Sequence, residues 1–388
     1  MSTLRRNLWI ALALIAVLAI GCAVLPSAQW VCGLTVLLGL SGVILLRSNP
    51  WRSASLSIAA IALAVGLLDI FAGLLSPQPH GVGLSTTYEP YWMVNDPELG
   101  YRMRPDSAVH AVETYGDQTI FDITYHMNKD STRVTPAGPS GSDVYLFMGD
   151  SFVFGQGLQD DQTLAAQFAR LNDFKVRTVN LSALGYAPNQ LVRALEIGRL
   201  DSLVGQPVKA VVTWIIPGHL MRVFGDGPWL GSSPRYILED GKLVYTGSFD
   251  RHRWLSPLAG LRHIAGQNFA FVHAIGASQR EDAEGELFTA LMVRLQQLAK
   301  EKFNAPLLVI YSWPDETSGP HHDNSEVAQP KLVSILAGLR QRGIPLLSVD
   351  KLTNGYDVSK LLFIQDGHPR PFTDGLIAGE LKRRLIGE

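Results

Sequence analysis

The stretch with the clearest capacity for chemistry is Val144-Tyr145-Leu146-Phe147-Met148-Gly149-Asp150-Ser151. An apolar run of strand length ends abruptly at Gly-Asp-Ser, and a helix-like segment over Thr163–Leu171 follows. Ser151 is therefore expected at the carboxyl end of a buried strand, which is where open α/β sheets keep their chemistry. A serine hydroxyl is a poor nucleophile at neutral pH and needs a base within hydrogen-bond reach. The candidate base is His368 in Gln365-Asp366-Gly367-His368-Pro369, just before the last helix-like segment.

Three motifs occur in a telling order: Gly149-Asp150-Ser151, then Asn180-Leu181-Ser182-Ala183-Leu184-Gly185-Tyr186, then Asp366-Gly367-His368-Pro369. From about Asp143 to the C-terminus the chain resembles the SGNH (GDSL-type) hydrolase superfamily, whose members are esterases, lipases and carbohydrate O-acetyl transferases or esterases. The resemblance implies ester chemistry, with Ser151 as nucleophile, His368 as general base and Asp366 holding the imidazole. It also implies an oxyanion hole built from the backbone amides of Ser151 and Gly185 and an asparagine side chain after the third strand.

The sequence departs from that pattern twice. Many members place two residues between the acid and the histidine, whereas only Gly367 separates Asp366 from His368, so a turn at Gly367 is required; Asp374 and Asp350 are the alternative acids. Ile216-Pro217-Gly218-His219 stands where the family often has Gly-Asn-Asp. Either the two amides suffice, or His219 donates to the oxyanion or contacts substrate; an ordinary loop histidine is the competing reading. The mechanism needs no metal and no cofactor. His321-His322-Asp323, in a segment with Ser318, Gly319 and Pro320 and no cysteine, reads as a turn rather than a metal site.

These residues require a particular frame. Strand-like runs at Val144–Met148, Val176–Leu181, Ala210–Ile216, Pro306–Trp313 and Pro345–Val349 alternate with helix-like stretches near Thr163–Leu171, Asn189–Leu203, Glu284–Phe303, Lys331–Arg342 and Thr373–Ile386. Runs rich in Val, Ile and Leu suit strands buried on both faces, giving an α/β, three-layer parallel sheet. The family resemblance implies the flavodoxin-like order 2-1-3-4-5, which puts Ser151 in the crevice beside the first strand. An insertion over residues 224–279 interrupts the alternation. Its Tyr236–Tyr245 portion, turning at Asp240-Gly241, reads as a hairpin, and the whole as a lid or a docking surface.

Upstream, residues 79–142 form a linker and a small β-rich segment, with turn signals at Asn95-Asp96-Pro97 and Pro105-Asp106. Its aromatics Tyr88, Tyr91, Trp92 and Tyr101 read as core, with a glycan or a membrane surface as the alternative. Residues 1–78 contain three apolar stretches, Leu8–Leu25, Trp30–Leu46 and Leu56–Leu75, each near the length that crosses a bilayer core. They read as three transmembrane helices; a cleavable signal peptide would account for the first alone. Arg5, Arg6, Arg47 and Arg52 flank one side, so the N-terminus is expected in the cytoplasm and the C-terminal domain in the periplasm or outside the cell, held at a bacterial inner membrane. Asp69 within the third stretch reads as a helix contact, an interfacial acid or a functional group. Both cysteines, Cys22 and Cys32, fall in these stretches, so the globular part carries no disulfide.

A net charge of −2 with no basic stripe gives no footing for nucleic acid. The expected activity is therefore that of a membrane-tethered serine esterase or O-acyltransferase working through an acyl-serine on acyl esters, acetyl above all, of a cell-envelope or secreted polysaccharide. Transfer implies a membrane acyltransferase or export-complex partner. The competing readings are a lipase or thioesterase at the membrane surface and a catalytically degenerate binding or assembly module.

Overall fold

A computed structural model describes residues 3–24, 27–75, 83–136, 138–139, 141–312 and 330–387. The His321-His322-Asp323 turn and the Ser76–Gly81 linker lie outside these. The chain divides into two compact units, Met1–Pro79 with Arg253–Glu281, and His80–His252 with Asp282–Glu388.

In the first unit three helices follow one another: α1 (Thr3–Val24), α2 (Ala28–Leu45) and α3 (Asn49–Leu75). Among the described residues one helix, over Asn49–Leu74, is long and apolar enough to cross a membrane; the apolar stretch of α2, Gln29–Leu45, is shorter. An anchor and a signal sequence both satisfy that criterion. Glycine lets α2 and α3 approach closely, since a Cβ on Gly39 would lie 2.8 Å from both the Ala59 Cβ and the Ser55 carbonyl oxygen. Asp69 is buried and accepts a hydrogen bond from Gln29 Nε2 at 3.4 Å, a contact between helices.

The second unit opens with antiparallel strands. β1 (Leu84–Glu89), β4 (Ser107–Tyr115) and β5 (Gln118–Met127) form one sheet, and β2 (Met93–Asp96) pairs with β3 (Gly100–Met103). The central sheet comprises β6 (Val144–Gly149), β7 (Arg177–Ser182), β8 (Val208–Ile215), β11 (Leu307–Tyr311) and β12 (Leu346–Ser348), all parallel, in the spatial order β12-β11-β8-β6-β7. Counted within this sheet the order is 2-1-3-4-5, as expected. The strand period of two explains the layers: Leu146 and Met148 of β6 join Leu191, Leu195, Phe288 and Leu295 on one face, while Tyr145 and Phe147 join Ala165, Phe168, Ile377 and Leu381 on the other.

The remaining expectations differ mainly at the ends of elements. The segment expected as one helix over Asn189–Leu203 is a helix over Pro188–Glu196 followed by a short 3₁₀ turn, because Gly198 takes φ +78°. The hairpin is β9 (Pro234–Glu239) with β10 (Lys242–Ser248), its turn residues Asp240 and Gly241 both left-handed, with φ of 49° and 73°.

Arg133 ties the small sheet to the large one. Its backbone bridges Met127 at the end of β5 and Asn180 of β7. Its guanidinium, fully buried between the rings of Tyr125 and Phe154, donates to the carbonyls of Phe154 (2.7 Å), Gly155 (2.6 Å) and Leu158 and to Asp160 (3.1 Å). Removing that donor set strands three buried acceptors at once. Arg133→Met is expected to destabilise the second unit by about 3–5 kcal/mol, read as a lower urea midpoint; a midpoint within error of wild type contradicts the assignment.

Candidate active site

β6 ends at Gly149, where a Cβ would lie 2.3 Å from Val153 Cγ2, so only glycine permits the sharp departure from the sheet. The next residue, Asp150, caps the four-residue helix α4 (Ser151–Phe154) by accepting the Phe152 N–H at 3.0 Å. This turn lifts Ser151 to the carboxyl end of the strand, with the residue only 5% exposed.

His368 reaches Ser151 from the turn before the last helix, Pro371–Leu385. Its Nε2 is 2.7 Å from Ser151 Oγ and its Nδ1 is 2.6 Å from Asp366 Oδ2. In the arrangement that serves attack, Ser151 Oγ–H donates to Nε2 and Nδ1–H donates to Asp366. The single intervening residue is accommodated as anticipated. Gly367 takes φ +82°, the amides of Asp366 and Gly367 both donate to the Phe363 carbonyl, and the Phe363 amide donates to the His368 carbonyl. The alternative acid Asp374 is fully buried on the last helix, where burial pushes its carboxyl well above the usual range.

Two backbone amides at and near Ser151 in the fold have no acceptor: among the described residues the N–H groups of Ser151 and Gly185 donate to no other protein group. Gly185 takes φ +76° in the loop after β7, whose Ala183 amide donates to the Gly149 carbonyl at 3.2 Å. The Trp229 indole N–H donates to the Gly185 carbonyl at 3.1 Å, so its ring lies directly on this loop. Free N–H groups held on a rigid frame are what an oxyanion requires.

His219 is not one of those donors. After the helices α5 (Leu164–Leu171) and α6 (Pro188–Glu196) comes α7 (Gly218–Arg222), on which His219 is 2% exposed; its Nε2–H donates to Asp150 Oδ2 at 3.0 Å while Nδ1 accepts the Ile216 N–H at 3.5 Å. With both ring nitrogens engaged, the oxyanion or substrate contact considered from the sequence is corrected to a buried structural one. Burial pushes this imidazole below its ordinary range by more than Asp150 raises it, so it serves as a neutral donor.

The residue that sequence reasoning missed is Arg222, three positions further along α7. Its Nη1 donates to Asp150 Oδ2 at 2.9 Å and to the Tyr186 carbonyl at 3.2 Å, joining the residue before Ser151 to the residue after Gly185. Burial would push the Asp150 carboxyl up, but His219, Arg222 and the Phe152 N–H together hold it at about 2. A second clamp comes from the β2–β3 pair, where Tyr101 Oη donates to the Leu184 carbonyl (2.9 Å) and Tyr186 Oη donates to the Tyr101 carbonyl (2.8 Å). Tyr101 and Trp92 are thus core residues, as read from the sequence, whereas Tyr91 is exposed.

No protein-family model and no curated protein matches the chain. Among solved structures it is similar to a member of the lipolytic G-D-S-L family from Veillonella parvula, at 9% identity and TM-score 0.38, covering 64% of this chain and 100% of that one. It is also similar to an acetylxylan esterase from Geobacillus stearothermophilus, at 11% identity and TM-score 0.37, covering 66% and 97%. A lipase from a goat rumen metagenome matches at 11% identity and TM-score 0.37, covering 62% and 96%.

The electrostatics of Asp150 set a pH signature. Its folded-state value, about 2, lies below the ordinary value of roughly 3.9, so its contribution of about 2–3 kcal/mol is complete above pH 4 and is lost as pH falls through 2. Asp150→Asn removes this dependence. The gap in urea midpoint between wild type and Asp150→Asn is expected to be wide at pH 6 and to narrow toward pH 2.5; a gap that stays constant contradicts the pairing.

Proposed function

We propose that this chain is a membrane-tethered serine esterase or O-acyltransferase of the SGNH type, acting on acyl esters, chiefly acetyl, of a cell-envelope or secreted polysaccharide. The observation that carries the reading is the hydrogen-bonded run from Ser151 Oγ through His368 to Asp366 at the carboxyl end of β6, beside two amides with no protein acceptor.

The steps follow from that geometry. His368 Nε2 takes the hydroxyl proton as Ser151 Oγ bonds to the ester carbonyl carbon, and Asp366 stabilises the imidazolium that results. Negative charge collects on the former carbonyl oxygen, toward which the Ser151 and Gly185 amides donate. Collapse breaks the bond to the alcohol oxygen, which leaves with the proton from Nε2. The acyl-serine is then attacked by water, giving hydrolysis, or by a sugar hydroxyl, giving transfer, with His368 again taking the proton.

The sugar acceptor is supported by Trp229, an exposed aromatic whose indole N–H donates to the Gly185 carbonyl of the loop that carries one of the two amides. The tether is supported by the long apolar α3 and by the basic residues Arg5, Arg6, Arg47 and Arg52, which assign the N-terminus and the α2–α3 connection to the cytoplasmic side if α1, α2 and α3 all span. Everything after α3 then faces outward, at a bacterial inner membrane. Transfer in that compartment needs an acyl donor brought across the bilayer, the task of a membrane acyltransferase partner.

Fluorophosphonate labelling and turnover of p-nitrophenyl esters test this reading. The intact protein is expected to label at Ser151 and to cleave the acetate ester in preference to the octanoate. Ser151→Ala is expected to abolish labelling and lower kcat by about 10⁴-fold or more. Faster cleavage of octanoate points instead to a lipase, and folded wild-type protein that does not label points to a binding or assembly module.

A further inference from the structure

Glu113 lies on β4, in the small antiparallel sheet, and is only 2% exposed. Its cross-strand neighbour Phe121 packs on Phe363 with ring centroids 6.1 Å apart, and the Phe363 carbonyl closes the Asp366–Gly367 turn. Asp366 is the charge that acts most strongly on Glu113, and the two carboxyls are hydrogen-bond neighbours. Thr86 Oγ1–H donates to Glu113 Oε2 at 2.8 Å, whereas Oε1 is buried and finds no donor.

An ionised Glu113 would leave two carboxylates face to face with one oxygen unsatisfied. A single proton on Oε1 resolves both difficulties, because it turns an orphaned acceptor into a donor beside a charged acceptor. The surroundings favour that proton: burial pushes the Glu113 carboxyl up, and the Asp366 charge pushes it further, against weaker pulls from Thr86 and His368. The other titratable groups nearby are the phenols of Tyr88 on β1 and Tyr125 on β5, both pushed up by burial and so kept neutral. Asp366 in turn has room for the bond, since the His368 Nδ1–H occupies only one of its oxygens.

We propose that Glu113 is a positioning residue for the triad, its protonated carboxyl donating to Asp366 and fixing the carboxylate that orients His368. The inference rests on the reading of Ser151, His368 and Asp366 given above. It assigns to the small sheet a part in the chemistry, since that sheet delivers the group that completes the hydrogen bonding of the triad acid.

The test uses the full chain, p-nitrophenyl acetate and the downfield proton signal of His368 Nδ1–H. Glu113→Ala is expected to lower kcat by about ten- to a hundredfold, the scale of one hydrogen bond to a charged group, with KM changed little. Its His368 signal moves upfield. Glu113→Gln, whose amide N–H replaces the acid O–H, is expected to recover most of the rate and the signal. A Gln variant as slow as Ala, or an Ala variant that leaves rate and signal in place, overturns the proposal. Should Glu113→Ala fail to fold by near-ultraviolet circular dichroism, a displaced signal in Glu113→Gln overturns it alone. Failure of the triad reading itself looks different, as wild type would neither label nor turn over, and the His368 signal would still report whether Glu113 governs Asp366.

Discussion

A carboxylate removed from water must be met by donors or lose its charge, and the fully buried Asp150 imposes that demand one residue before the nucleophile. Three groups answer it: the Phe152 amide from its own turn, and His219 and Arg222 from the helix after β8. Satisfying the charge therefore fixes the position of α7 against the Gly149–Ser151 turn. Because Arg222 also holds the Tyr186 carbonyl, the same network sets the separation of the Ser151 and Gly185 amides. In the proposed function, the geometry of the oxyanion site would follow from the solvation requirement of an acid that does not itself react.

The small antiparallel sheet works by the same logic from the other side. Arg133 is a second buried charge, and the carbonyls of Phe154, Gly155 and Leu158 that satisfy it belong to the segment leaving the nucleophile turn. Tyr101 donates its hydroxyl to the Leu184 carbonyl and accepts the Tyr186 hydroxyl at its own carbonyl, clamping the Gly185 loop, and Phe121 packs on Phe363, whose carbonyl accepts from the Asp366 turn. Each of the three loops that bring these groups together is thus held by a residue from the antiparallel segment that precedes them in the chain. This is why residues 80–142 fall in one compact unit with the parallel sheet.

The parts of this structure legible in the sequence are those governed by local periodicity. Five apolar runs of strand length specified the parallel sheet, and the Asp240-Gly241 pair specified its hairpin, because buried strands and left-handed turns each demand particular residues within a few positions. The contact of Ser151, His368 and Asp366 was legible because their motifs are short and contiguous. Arg222, Arg133 and Glu113 were not, since what makes each one matter is a partner far along the chain: Asp150, the Phe154–Leu158 carbonyls and Asp366 respectively. His219 shows the limit from the other direction. Its place after the third strand suggested an oxyanion donor, but the side chain faces the buried Asp150, a choice set by tertiary charge balance that a local pattern does not encode.

That choice bears on how acylation at Ser151, in the function proposed above, would proceed without the asparagine implied by the family resemblance. Arg222 does not replace it as a source of positive charge, because its guanidinium is paired with Asp150 and the two largely cancel in the field at the reacting carbonyl. Stabilisation then rests on the two amide dipoles, and dipoles are effective only if they already point at the developing charge rather than turning toward it during the reaction. The Asp150–Arg222–Tyr186 link, the tyrosine clamp and the Trp229 bond to the Gly185 carbonyl all restrict such turning. On the proposed mechanism the arrangement would exchange one donor for rigidity in the two that remain, and the rate of acylation would then depend on how little the loop after β7 moves.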